Sequence, residues 1–208
     1  LFPYTTLFRS QTGFSYIAQL RSWLPREIGG ILWFGNDDGN MVAYVPIYCS
    51  NTERAECFNT PGADAVTFSD KNAFWVCNWV SNMVYPRYSQ LFPALKEVRD
   101  SLDNAFLAAQ KGVEAKAEAL YATDKAAAVK YLNDYSIQKS NEMITRWRQL
   151  AIHLIVKFND MAVKPEKDGK FLRTSTGLGE RVKRTGYSDY FKRELVKQTG
   201  DKFAVPNK

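Results

Sequence analysis

The side chains that most often act as nucleophiles or bases are scarce in this sequence of 208 residues. It has three cysteines, Cys49, Cys57 and Cys77, and one histidine, His153. A Cys–His pair would supply a thiolate nucleophile, but no spacing brings His153 near a cysteine, and its polar neighbours favour an exposed surface histidine. No cysteine or histidine cluster has the spacing of a zinc site. The residues alone therefore indicate no catalytic group, no metal and no cofactor.

Three other polar residues are candidates for binding a substrate. Arg21 follows a predicted strand, where its guanidinium would hold a substrate carboxylate or would pair with Glu27 or Asp37 to fix the turn. Asn36 and Asp37 belong to the stretch "NDDGN", which would reach a pocket from a hairpin tip or would form the turn alone. The stretch lacks the spacing and the terminal Glu of a calcium loop. Both alternatives stay open for each of Arg21, Asn36 and Asp37.

The first half of the sequence begins with strand patterns. Residues 13–20, "GFSYIAQL", alternate in a period of two with aromatic and β-branched side chains, which is typical of a strand. The apolar run "ILWFG" and the stretch "MVAYVPIYC" follow on either side of the "NDDGN" turn. We expect three strands within residues 13–49, with 31–34 and 41–48 forming a hairpin and Pro46 indicating an edge or a bulge.

Helical patterns follow over residues 70–162. A first helix is expected to begin near Ser69 or Asp70 and to end at Pro86. Its large side chains at three- and four-residue spacings form one heavy apolar side. Further helices are expected around 91–106, 113–122 and 124–160, and a short one at 187–198 ending at Gly200. Strands followed by helices indicate an α+β fold with helices packed on an antiparallel sheet.

The net charge of +6 comes entirely from the last 45 residues, since 164–208 carry 12 basic and 6 acidic side chains. A basic end of this kind binds nucleic acid or an anionic surface, or simply keeps the chain soluble. The hydrophobic content of 45% is that of a folded chain, and no apolar run reaches the ~18 residues of a membrane span. Cys49 and Cys57 would pair across their loop in an oxidising compartment.

The first ten residues, "LFPYTTLFRS", lack a starting Met, a charged n-region and an apolar h-region, so they are not a signal peptide. The string resembles the translation of a sequencing-adapter oligonucleotide. We therefore expect residues 1–10 to be foreign to the protein and to stand in place of a native segment.

Three long stretches resemble the C-terminal half of bacterial acid dipeptidases. They are "GFSYIAQLRSWLPREIGGILWFGNDD", "VAYVPIY" and "AFWVCNWVSNMVYPRYSQLFPALKEVRDSLD". The resemblance is to the PepD-type cysteine dipeptidases of the N-terminal-nucleophile hydrolase class, and it extends from about Gln11 to the final helix. It implies an αββα sandwich, of which this chain would supply the later strands and helices, leaving part of the sheet with an unpaired edge.

The resemblance also implies a mechanism. The nucleophile is the thiol of an N-terminal cysteine, and the α-amino group of that residue is the base, because its pKa lies near 8. That cysteine would lie upstream of Gln11, and Cys49, Cys57 and Cys77 match no nucleophile position. We expect a fragment of a dipeptidase that is inactive alone, with Arg21, Asn36 and Asp37 as substrate-binding residues and no metal or cofactor.

The expected organisation is a foreign segment at 1–10, the C-terminal half of a hydrolase domain at 11–163 and a basic extension at 164–208. The expected partners are dipeptides, without nucleic acid or a membrane span, and a homo-oligomer stays open. The expected location is periplasmic or extracellular, with the cytoplasm as the alternative. The alternative function is a non-catalytic binding module whose basic tail contacts nucleic acid or an anionic surface.

Overall fold

The computed structural model describes residues 12–180, 183–184 and 186–203. The segment 1–10, expected to be foreign, lies outside the described residues. The chain divides into two units, one up to His153 and one from Leu154 onward. The domain boundary expected at 163/164 stays a prediction.

The first unit is built around a three-stranded antiparallel sheet in the order β1-β2-β3. The strands are β1 (Phe14–Leu20), β2 (Gly30–Asn36) and β3 (Val45–Tyr48). A single helical turn, α1 (Arg26–Gly29), precedes β2. The alternating pattern of β1 and the hairpin are confirmed, with Leu20 opposite Gly30 and Phe34 opposite Val45. The third strand is shorter than the expected 41–48, because residues 41–44 are a mostly buried segment that precedes the strand without belonging to it.

Helix α2 (Ala73–Val84) buries its small side chains and leaves its largest ones half-buried. Asn72, three residues after Ser69, is its N-cap and accepts from Trp75 N at 3.2 Å, whereas Ser69 accepts from Lys71 N in the preceding turn. The buried positions recur every three or four residues: Ala73, Val76, Cys77, Val80, Ser81 and Val84. The heavy apolar side expected from the sequence is thus the outer side, since small residues let the helix approach its neighbours closely.

Two long helices complete the first unit. A 3-10 turn over Tyr85–Arg87 leads from α2 into α3 (Tyr88–Tyr121), and residues 122–124 lead from α3 into α4 (Lys125–Phe158). The ammonium of Lys116 lies over the Tyr131 ring and that of Lys139 over the Phe106 ring, which is the register of an antiparallel helix pair. The side chain of Trp147 is the largest that is fully buried. The α+β fold predicted from the sequence is confirmed.

The second unit contains two small two-stranded sheets and a short helix. β4 (Ala162–Val163) pairs with β7 (Lys183–Arg184), and β5 (Glu166–Lys167) pairs with β6 (Lys170–Phe171). Asp168 and Gly169 between β5 and β6 both have positive φ, 52° and 72°, as a tight hairpin turn requires. Helix α5 (Asp189–Thr199) begins at the N-cap Ser188 and ends at Gly200, so the short helix expected at 187–198 is confirmed.

Candidate functional site

The three candidate residues lie at opposite ends of the central strand. Arg21 follows β1 next to the first residues of β2, whereas Asn36 ends β2 and Asp37 follows it. The seven residues of β2 separate the two ends by about 20 Å, at ~3.3 Å per residue. The structure therefore divides the candidates between two sites, one at Arg21 and one at the turn that follows Asn36.

The guanidinium of Arg21 is buried and contacts one carboxylate and two carbonyl groups. It forms an ion pair with Glu114 of α3, and the two side chains are 7% and 13% exposed. Its Nε and Nη2 also donate to the carbonyl oxygens of Gly29 and Ile28, each at 3.3 Å. A Cβ at Gly29 would lie 2.5 Å from the Arg21 carbonyl oxygen, so the close approach requires glycine. Arg21 holds the turn, with Glu114 as its partner instead of the expected Glu27 or Asp37.

A polar network extends from Glu114 into the core. Gln110 donates to Glu114 Oε1 at 2.9 Å and to Gln19 Oε1 at 3.1 Å. Trp33 Nε1 donates to the same Gln19 oxygen at 3.0 Å, and the hydroxyl of Tyr48 donates to Glu114 at 3.4 Å. Burial first, and then the Glu114 charge, raise the pKa of Tyr48. The network joins the sheet to α3. Arg21 is the charge partner of Glu114 within it.

An open cleft of about 740 Å³ lies beside this network. Arg21 lines it together with Arg26, Ser22 and Cys49, and Ser50 contributes a buried hydroxyl without a hydrogen-bond partner among the described residues. Arg26 is the exposed cation of the group. The cleft therefore offers a substrate carboxylate the guanidinium of Arg26 more readily than that of Arg21, which is already paired.

The turn after β2 is held by side chains of α2. Asn78 Nδ2 donates to Asp37 Oδ1 at 3.0 Å, and the hydroxyl of Ser81 donates to Asp37 Oδ2. The hydroxyl of Tyr85 donates to Asp38. Asp37 has φ of 69°, a left-handed conformation that Asp tolerates better than most residues. The turn interpretation of Asp37 is thus the one its contacts support.

Both carboxylates of this turn are buried, Asp37 at 1% and Asp38 at 2% exposure. Burial raises the pKa of Asp37, and the hydrogen bonds from Ser81 and Asn78 oppose that change. A side chain so enclosed does not touch a substrate directly. Asp37 instead fixes the positions of Asn78 and Ser81 through their hydrogen bonds.

Asn36 has an unsatisfied hydrogen-bond acceptor, which a ligand could use. Its side-chain oxygen Oδ1 is buried and has no hydrogen-bond partner among the described residues. A buried amide oxygen without a partner costs free energy, so a ligand donor that reached it would be favoured. Of the three candidates, Asn36 is the one whose contacts leave it free to bind.

The three cysteines differ in their surroundings. All three thiols are free, so no bridge joins Cys49 to Cys57, and Cys49 alone is exposed. Burial raises the pKa of Cys57 to about 11, and burial raises the pKa of Cys77 still more clearly. A thiol with a raised pKa is a poor nucleophile at neutral pH. His153 is half-buried, not fully exposed as the sequence suggests.

The described parts of the chain hold no group of three or more His, Cys, Asp or Glu residues arranged to bind a metal ion. Among the same residues, no helix combines the length and the apolar character that crossing a membrane demands.

The side chains of α2 and α3 that hold both sites are not apparent from the sequence. Asn78, Ser81 and Tyr85 reach the turn from three- and four-residue spacings on one side of a helix. This spacing places their polar groups on one side of an otherwise apolar helix, and it is the feature from which the sequence could have predicted the contact. Glu114 lies in an Ala- and Glu-rich stretch where nothing distinguishes it from exposed neighbours such as Glu118.

An antiparallel sheet with α2 and α3 packed against it and a polar turn at one end is a scaffold on which a hydrolase site can be built. The sequence model of peptidase family C69 matches residues 3–101, just under half of the chain. The match includes Arg21, Asn36 and Asp37 and ends within α3, so it is shorter than the resemblance noted in the sequence. No curated protein matches the chain. Similarity to a peptidase family supports a peptide hydrolase.

Proposed function

We propose that this chain is part of a dipeptidase of the N-terminal-nucleophile class and that its nucleophilic cysteine lies in a segment outside it. The match to peptidase family C69 over residues 3–101 is the observation that carries the proposal. The substrates are dipeptides, and the residue proposed to bind them is either Asn36 or the exposed Arg26, because the ~20 Å between the two ends of β2 is longer than a dipeptide. The reaction forms an acyl-enzyme on the cysteine thiol, and water then hydrolyses it.

The state of the three cysteines supports an external nucleophile. Cys57 and Cys77 are buried thiols with raised pKa values. Cys49 is exposed, and the charged residues that line its cleft are Arg21, Arg26 and Glu27. Of these, the carboxylate of Glu27 is the possible base, but the hydroxyl of Tyr121 donates to it and lowers its pKa, which weakens it as a base for a thiol. An N-terminal cysteine brings its own α-amino base and needs no histidine.

The exposed surface of β1 supports the proposal independently. Its side chains are open on both faces, since Tyr16 is 57% and Ile17 is 59% exposed. Within the described residues β1 pairs with β2 alone, so its outer edge carries free backbone donors and acceptors. A strand with an apolar surface and a free edge is a template for further strands. We propose that strands of the segment holding the nucleophile cover it.

Hydrolysis of a dipeptide by the 208-residue chain alone tests where the nucleophile lies. We expect no turnover above the uncatalysed rate, because two of the three thiols are buried with raised pKa values and the third has only the weakened carboxylate of Glu27 in its cleft. The matched variant is Cys49→Ser, which removes the one exposed thiol. Turnover by the chain that disappears in Cys49→Ser would identify Cys49 as the nucleophile and contradict the proposal.

A second candidate function rests on helix α5. None of its residues is buried, and the rings of Tyr187 and Phe191 stack in the open at 4.7 Å between centroids. Lys192, Arg193 and Lys197 line a shallow cleft together with Val196 on the same helix. Exposed apolar side chains beside cations favour an anionic lipid surface over a nucleic acid duplex.

Vesicle sedimentation tests this second function. We expect the chain to sediment with anionic phosphatidylglycerol vesicles and not with phosphatidylcholine vesicles, and to lose binding in Phe191→Ser. Tighter binding to a DNA duplex than to vesicles, with a steep salt dependence, would favour the nucleic acid. Absence of both would remove the candidate.

A further inference from the structure

The outer side of α2 carries a cleft that the proposed function does not yet use. We call it the aromatic cleft; its volume is about 360 Å³, and its lining is Phe68, Trp75, Asn78, Trp79 and Asn82. The ring of Phe68 lies edge-on to Trp75 at 5.8 Å and to Trp79 at 6.3 Å between centroids. Three aromatic rings therefore meet at an opening to solvent.

The loop before α2 holds this opening in place. Trp75 Nε1 donates to the carbonyl oxygen of Asp64 at 2.9 Å, and the Asp64 carboxylate accepts from Val66 N at 2.9 Å. The tight turn presents Val66 and Phe68 at 91% and 56% exposure. The arrangement is built by hydrogen bonds and yet leaves large apolar surface in water, which is typical of a binding surface.

The aromatic cleft is continuous with the turn after β2. Asn78 is shared, because it lines the cleft and also donates to Asp37 at 3.0 Å. Asn82 Nδ2 donates to the Asn78 carbonyl oxygen at 2.8 Å. Asn36, with its unpartnered amide oxygen, directly precedes Asp37. Asn78 thus connects the aromatic cleft to the turn that follows Asn36.

We propose that the aromatic cleft binds an apolar or aromatic side chain of a peptide substrate. The inference rests on the proposed function and specifies its substrate class. Aromatic walls favour another ring through edge-to-face and offset contacts. A volume of about 360 Å³ holds one large side chain with its adjoining peptide unit, at the lower end of the sizes of small-molecule sites. The preferred dipeptides therefore contain Phe, Tyr, Trp or Leu.

The binding test uses the indole N–H signals of the five tryptophans in a 15N-labelled sample, assigned with Trp75→Phe and Trp79→Phe. Ala-Phe is titrated against Ala-Ala, which has the same main chain. We expect Ala-Phe to shift the Trp75 and Trp79 signals saturably, with a Kd at least ~10-fold lower than that of Ala-Ala. Phe68→Ala should raise the Kd for Ala-Phe ~10-fold, because it removes one of the three rings of the cleft. The variant should still fold, because Phe68 lies in an exposed loop.

Trp23→Ala is the matched control, because Trp23 is 77% exposed and does not line the cleft. It should leave the Kd unchanged. Equal affinity for Ala-Phe and Ala-Ala, or equal loss in Phe68→Ala and Trp23→Ala, would overturn the inference. A titration with methyl glucoside gives a further test. If it shifts the Trp75 and Trp79 signals as strongly as Ala-Phe does, the cleft recognises a saccharide and the inference is overturned. The experiment needs no turnover, so its failure is distinct from a failure of the proposed hydrolase activity.

Discussion

At the scale of single residues, the ion pair between Arg21 and Glu114 decides what Arg21 can do. The buried guanidinium has one carboxylate and two carbonyl partners, so a substrate carboxylate would have to share its charge with Glu114. Removing one member of a buried pair leaves the other charge without compensation. Arg21 is therefore a structural residue, and the exposed Arg26 is the better ligand for a carboxylate.

The first prediction follows from this pair. Glu114→Gln should lower the free energy of unfolding by about 3 kcal/mol, measured by urea denaturation, because Arg21 would be buried without a counter-charge. The matched control is Asp134→Asn, which breaks the exposed pair with Lys130 and should cost less than about 0.5 kcal/mol. Equal costs would mean that Arg21 does not depend on Glu114 and is free to bind a substrate.

Asp103 gives a second prediction at this scale. Burial raises its pKa from 3.8 to about 6, against the hydrogen bond from Tyr44 N. The folded state therefore binds more protons than the unfolded state between these values, and stability falls as the pH rises from about 4 to about 6. Asp103→Asn should match the wild type at pH 4 and exceed it by about 1–2 kcal/mol at pH 7.5, allowing for partial exposure.

Asp100 provides the opposite case for comparison. Hydrogen bonds from Lys96 and Arg99 lower its pKa, so its contribution is present at neutral pH and is lost as the pH falls through its lowered pKa. Asp100→Asn should not gain stability at pH 7.5. Thermal unfolding across the pH range measures both variants, and a wild-type stability that rises between pH 4 and pH 6 without change in Asp103→Asn would contradict the account.

At the scale of elements, β1 is the strand whose surroundings are least complete. Residues on both of its faces are exposed, among them Ile17 at 59% and Leu20 at 75%. Only Ser15 is buried, where its hydroxyl lies 2.8 Å from that of Tyr44. An open apolar strand promotes pairing between copies.

The prediction is that Ile17→Lys with Leu20→Lys reduces concentration-dependent self-association, measured by sedimentation velocity, while the urea midpoint stays within error. The control Ile31→Lys, at a position with 0% exposure, should lose about 3 kcal/mol or more. A double variant as unstable as Ile31→Lys would show that β1 is packed and would remove the argument for a covering segment.

Sequence patterns predict these elements where the local signal is strong. The strand β1, the long helix α4 and the Gly200 end of α5 lie where they were expected, but the alternation of β1 does not divide its side chains into a buried and an exposed face. The sequence predicts the heavy apolar side of α2 but not which side of the helix is buried, and its small residues are the ones that allow the close approach. Asn78 and Glu114 were missed, since their partners Asp37 and Arg21 are distant in sequence.

At the scale of the whole molecule, the similarity to a peptidase family stops within α3, whereas the first unit continues to His153. The match therefore includes the sheet, α2 and the three candidate residues, whereas Glu114, the partner of Arg21, lies outside it. This distribution is expected if the chemistry of the family belongs to the sheet and its turns and the later helices add support.

The most direct test of the central claim is dipeptide hydrolysis by the product of the intact gene, with the genomic sequence read through the codons before Gln11. The account predicts an upstream segment that matures to an N-terminal cysteine, turnover of apolar dipeptides by that protein and loss of turnover when this cysteine becomes serine. An intact product that hydrolyses no dipeptide, or whose turnover survives that change, would contradict it.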